Sequence, residues 1–173
     1  MRCRKRDCPS PVPSLLVAAA LLLWPAGLES ATRGREDLVE LISEIETAVW
    51  SRGEVERLDD IFDPSCVLHL GTSIQVEGTG PLKDMVEMFR AEFVDRDFAI
   101  DEIFASEDRV VERYRWNGRH ARSGTPVSVT GCVVYHIENG RAVEAWNYED
   151  MFSLYQQLGL VSAESLFSDA PQQ

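Results

Sequence analysis

The sequence predicts an α+β domain shaped as a cone: a strongly curved antiparallel or mixed sheet, with about three N-terminal helices packed on it, enclosing a cavity. Three observations carry this. Apolar residues recur at helical spacing through the first half of the chain. From Phe98 onward the pattern changes to period two and stays there. Asn139-Gly140 separates two alternating runs, the signal of a two-residue hairpin turn. Helices followed by an antiparallel meander pack on one face of a bent sheet. The open mouth and apolar interior of such a cone suit a small molecule.

The elements follow in order. Leu38, Leu41, Ile42, Ile45 and Val49 share one face of a helix over about Asp37–Trp50. Gly53 punctuates, and a second helix over about Glu54–Phe62 ends at Asp63-Pro64. Cys66–Leu70 reads as a buried strand, and Ile74–Glu77 as a short one after a turn at Gly71. Pro81 suits the first turn of a third helix, whose apolar face is Leu82, Met85, Val86, Phe89 and Phe93. Strands are expected from Phe98, over Val110–Asn117, Pro126–Glu138 and Arg141–Glu149. A short helix, Met151–Leu158, closes the domain, with Gly159 as its cap.

The ends differ from this body. Arg2, Arg4, Lys5 and Arg6 precede the apolar run Leu15–Leu23 and a small-residue region near Ala31. That is the layout of a secretory signal peptide over residues 1–31, its apolar run too short for a comfortable membrane span. Secreted or periplasmic placement is the expectation. The alternatives are an uncleaved N-terminal anchor, or a mis-assigned start codon and a cytoplasmic protein. Residues 32–36 read as a linker, 37–160 as the domain, and 161–173 as a polar tail.

The net charge of −12, acidic despite the basic head, argues against nucleic acid, whose phosphates need Lys and Arg. Cys66 and Cys132 lie in apolar runs and read as free thiols, with a disulfide open to an exported protein. Three scattered histidines give no metal motif.

The hairpin region holds the candidate chemistry. Trp146, Tyr148 and Asp150 alternate on one face, as do Cys132, Val134 and His136. Two aromatics beside a carboxylate suggest a pocket wall in which Asp150 moves a proton. Spacing alone favours the other reading, Asp150 as the N-cap of the helix that follows. Tyr114 and Trp116 share a face with Glu112 and either line the pocket or pack in the core. His69 has the parity of Val67, and Arg113 and Arg115 lie on the face opposite Tyr114.

Several short motifs occur in register: Glu77-Gly78 and Gly80-Pro81 before a helix, Asp108-Arg109-Val110-Val111, Gly118-Arg119-His120, Glu138-Asn139-Gly140-Arg141, Val143-Glu144-Ala145-Trp146, and Gln157-Leu158-Gly159. From about Leu38 to Leu160 the chain resembles the SnoaL-like polyketide cyclases of the nuclear-transport-factor-2-like superfamily. The resemblance implies Asp150 as general acid/base, with His136 and His120 in the same cavity. Trp146, Tyr148, Trp116, Tyr114 and His69 would then contact a small-molecule substrate. The implied reaction is an aldol-type ring closure, or a related isomerisation, of a carbonyl compound, and it needs no metal or cofactor. Arg119 stands where the family usually has threonine. Two other functions fit the same cone: a non-catalytic exported module holding an apolar ligand, and a homodimerisation domain using the sheet face.

Overall fold

The computed structural model describes residues 26–164, with side chains from residue 34. The first 25 residues of the expected export segment and the tail beyond residue 164 lie outside this range. Helix α1, Ala26–Thr47, starts earlier than the apolar periodicity suggests, so residues 32–36 are helical and not a linker. Gly34 costs about 1 kcal/mol there, which a 22-residue helix tolerates. Among the described residues no helix is long and apolar enough to cross a membrane.

Helix α1 continues into a single π turn, Ala48–Arg52, which ends at Gly53 with φ 82°. Arg90 Nη1 donates to the carbonyls of Val49 and Trp50 at 2.8 and 2.6 Å, satisfying acceptors that a helix end leaves unpaired. A 3-10 turn, Val55–Arg57, and the one-turn helix α2, Leu58–Ile61, stand where a longer second helix was expected. Strand β1, Phe62–Leu70, pairs with β2, Ile74–Glu77, and helix α3 spans Thr79–Glu92. Four strands follow: β3, Phe93–Ser106; β4, Arg109–His120; β5, Pro126–Glu138; and β6, Arg141–Glu149. Helix α4, Met151–Gln157, completes the order.

The six strands form one sheet in the order β2-β1-β6-β5-β4-β3. Only β1 and β6 run parallel, which makes the sheet mixed. The β5–β6 turn has φ 51° at Asn139 and 78° at Gly140, as a type I′ hairpin requires. Register shifts interrupt β3–β4 twice, between Val94 and Asp97 and between Ile100 and Glu102. Such bulges bend a strand, and here they help curl the sheet around the helices.

Ile42, Ile45 and Val49 of the first helical segment are wholly buried against that concave face, with Val86 of α3 beside them. Each such side chain stabilises the fold by about 1.5–3 kcal/mol. Cys66 and Cys132 are free thiols, Cys66 fully buried.

Candidate active site

The concave face and the helices enclose a cavity of about 550 Å³. Period two on β4 turns Glu112, Tyr114 and Trp116 inward, all at least 95% buried. Their neighbours Arg113 and Arg115 point outward and pair with Asp101. Across the sheet, Val133 and Tyr135 of β5 and Asn147 and Glu149 of β6 continue the wall. Glu46 and Trp50 close it from the first helix, and Phe89 from α3. Exposed Ile74, Met88, Tyr148 and Tyr155 form an apolar rim.

Three carboxyl groups face this apolar space, each in a different state of pairing. Glu149 Oε1 accepts a hydrogen bond from Trp116 Nε1 at 2.6 Å. The Tyr114 hydroxyl lies 3.3 Å from the same oxygen and 2.9 Å from Asn147 Oδ1. Burial raises the Glu149 pKa, and these two donors hold part of the rise back. Tyr114 itself stays neutral, because burial and the nearby Glu149 charge push its pKa far up.

Glu46 is also buried, but both its oxygens are used: Tyr135 donates to Oε1 at 3.0 Å and Trp50 Nε1 to Oε2 at 2.6 Å. Burial raises its pKa against those donors. Glu112 is fully buried, and neither of its oxygens has a hydrogen-bond partner among the described residues. Burial, and then the charge of Glu46, push its pKa well above the ordinary value. Of this pair Glu112, with no donor to stabilise its charge, is the one whose protonated form is the more favoured.

The resemblance, and not spacing alone, implied an acid/base centre of Asp150 with His136 and His120. Asp150, His136 and His120 do not converge on the cavity. Asp150 is exposed and caps α4, its Oδ1 accepting from the Ser153 amide at 2.9 Å. His136 lies on the outer face of β5, 3.3 Å from Asp108 and 3.7 Å from Glu138. His120, at the end of β4, contacts Glu92 and Ser123, each at 2.7 Å. His69 and Trp146 stack on each other at 5.4 Å on the outer face, with His69 Nε2 2.7 Å from Glu144. Tyr148 reaches only the rim, while Tyr114 and Trp116 are in the wall.

The reason is the phase of β6. Asn147 and Glu149 take the inward positions, so Trp146 faces out, and Asp150, of the same parity as Trp146, leaves the strand as the N-cap of α4. Glu112 was discoverable from its shared parity with Tyr114 and Trp116, and Glu46 from its place between Ile42, Ile45 and Val49. Among the described residues no group of three or more His, Cys, Asp or Glu side chains is placed to hold a metal ion.

A mixed, bulged sheet curled around helices and lined by buried carboxyls defines a cone-shaped protein of the nuclear-transport-factor-2-like class. Residues 40–158 match the profile of the SnoaL-like polyketide cyclase family, and the chain belongs to that family. Solved structures agree on the fold. A polyketide cyclase, provisionally so assigned, from Acidithiobacillus ferrooxidans is 27% identical, with a TM-score of 0.62 over 71% of this chain and 94% of its own. TsrD from Streptomyces laurentii is 21% identical, TM-score 0.66, covering 72% and 97%. AclR from Streptomyces galilaeus, provisionally assigned as a hydroxylase, is 22% identical, TM-score 0.66, covering 74% and 99%. A search of curated proteins found no match.

Proposed function

We propose that the chain is a cyclase- or isomerase-type enzyme acting on a small carbonyl compound, with Glu149 as its general acid/base. The observation that carries this is the Glu149 carboxylate, half-buried in the wall of an apolar cavity and held at one oxygen by Trp116 and Tyr114. Family membership supports the reaction class. A desolvated carboxylate with a raised pKa is a stronger base than one in water, and the two donors orient it and offset part of that rise.

The proton bookkeeping is closed. Glu149 removes a hydrogen from carbon next to a carbonyl, and the electron pair becomes an enolate. The enolate carbon either bonds to a second carbonyl carbon in the same molecule or is reprotonated at another position. Glu149 returns its proton to the new alkoxide or carbon. The neutral Tyr114 hydroxyl, beside Glu149, has one hydrogen, given to Asn147 or Glu149 in the free protein; turned to the substrate, it would serve the developing oxyanion.

The test is hydrogen–deuterium exchange into 2-indanone, a small apolar ketone, in D2O. Exchange faster than in buffer, and lost in Glu149→Gln, supports the enzyme. If 2-indanone raises the melting temperature but exchanges no faster than in buffer, the protein is a ligand-binding module instead.

A further inference from the structure

We propose that the molecule this cavity takes carries a basic nitrogen: an apolar amine, bound as the ammonium ion, whose N–H groups meet Glu112 between aromatic walls. This rests on the reading of the cavity as a small-molecule site and names its substrate class.

Glu112 is the first ground. It is fully buried in the cavity wall, and no described residue hydrogen-bonds either oxygen. Buried polar groups are nearly always paired, so an unpaired carboxyl in a residue of a cavity wall is matched to something that enters, once a small side-chain turn bares its oxygens. The other two carboxyls are engaged. Glu46 uses both oxygens on Tyr135 and Trp50, and Glu149 is held by Trp116.

Charge is the second ground. The wall contains Glu46, Glu112 and Glu149, and no Lys, Arg or His. Whichever of these carboxyls is ionised repels an entering anion and attracts a cation. The surfaces between these carboxyls include the rings of Trp50, Phe98, Tyr114, Trp116 and Tyr135. Aromatic faces attract organic cations. The protein already uses two neighbouring rings this way: the Arg96 guanidinium lies 5.6 Å from the Trp50 ring centre and 6.0 Å from that of Phe89.

The geometry also separates binding from chemistry. Glu112 lies opposite Val133 and Glu149 opposite Gly131, so the two carboxyls share the concave face two strands apart. Strand spacing alone puts them roughly 10 Å apart. An amine held at Glu112 thus presents a carbon several bonds away to Glu149.

Binding has a proton signature. The titratable groups around Glu112 are Glu46 from the first helix, Tyr114 on its own strand, Tyr135 and Cys132 on β5, and Glu149 on β6. Burial and then the Glu46 charge raise the Glu112 pKa, which favours the protonated acid in the free protein. When an ammonium ion arrives, the carboxyl O–H bond breaks, its proton passes to solvent, and N–H···O⁻ contacts form. A neutral ligand accepting a hydrogen bond from the protonated acid would release none.

The experiment is isothermal titration of the whole chain at pH 7 with tryptamine and with tryptophol, which share the indole and differ in ammonium against hydroxyl. Each is titrated in phosphate and in Tris, whose ionisation heats differ. Tryptamine is expected to bind at least about tenfold more tightly and to release about one proton per molecule bound. Glu112→Gln, and independently Glu112→Leu, are expected to bring tryptamine down to the tryptophol level. Four results overturn the proposal: no tryptamine binding at millimolar concentration, equal or tighter tryptophol binding, no proton release, or a preference that survives both substitutions. No turnover enters this readout. Loss of the acid/base reading at Glu149 therefore leaves the amine proposal standing, and the reverse also holds.

Discussion

The Tyr114 hydroxyl occupies the space that a side chain on Gly131 would fill: a Cβ at Gly131 would lie 2.4 Å from the phenol oxygen. Gly131 pairs with Tyr114 on one side and Glu149 on the other. The missing side chain lets the phenol cross β5 and reach Asn147 and Glu149 on β6. Gly131→Ala is expected to destabilise the fold by about 1–3 kcal/mol through overpacking. It should also move Tyr114 away from Glu149. Urea denaturation checks the first effect; loss of 2-indanone exchange in the folded variant checks the second.

Trp116→Phe keeps the ring packing but removes the N–H that reaches Glu149 at 2.6 Å. That bond lowers the Glu149 pKa, so the variant's carboxyl should titrate higher still. Activity needs the carboxylate, which is populated as pH rises through the pKa. The acid limb of the pH–rate profile is therefore expected to move to higher pH. An unmoved limb would remove Trp116 from the tuning of the base.

The three cavity carboxyls set the pH dependence of stability. Each has a folded-state pKa raised by burial. A raised folded pKa means the native state binds more protons than the unfolded one, so that stability is full at low pH. It is lost as pH climbs from roughly 4.3, the value of an unperturbed glutamate, through the raised values. Surface carboxyls with lowered pKa values, such as Asp59 and Asp63, act at lower pH and do not mask this slope. Urea midpoints are expected to fall between about pH 4.5 and 8. Glu112→Leu should flatten that fall, and a slope parallel to the wild type would place the titration elsewhere.

Asp150 is expected to behave as a helix cap. Asp150→Ala should lower stability by about 0.5–2 kcal/mol, and Asp150→Ser, which retains a capping oxygen, by much less. Thermal or urea unfolding distinguishes the two.

Much of the fold was legible because periodicity is a property of the chain. The strand bounds Ile74–Glu77, Pro126–Glu138 and Arg141–Glu149 match the alternating runs, and Asn139-Gly140 makes the hairpin turn. The site was less legible because alternation tells which residues share a face but not which face is concave. On β4 the sequence grouped Glu112, Tyr114 and Trp116 correctly. On β6 the aromatic pair Trp146 and Tyr148 suggested an inward phase, yet Trp146 stacks outside on His69 and the polar pair Asn147 and Glu149 points in. Register against β1 and β5 decides this, and register arises from pairings distant in sequence.

The most direct test compares two neighbouring carboxylates. Exchange of deuterium into 2-indanone would be measured for wild type, Glu149→Gln and Asp150→Asn, with folding confirmed for each. Glu149 lines the cavity and Asp150 caps a helix outside it. Glu149→Gln is expected to lower the exchange rate by at least about 100-fold, while Asp150→Asn stays within a few-fold of wild type. The opposite pattern, with activity lost in Asp150→Asn and kept in Glu149→Gln, would contradict the assignment of the acid/base role to the cavity wall.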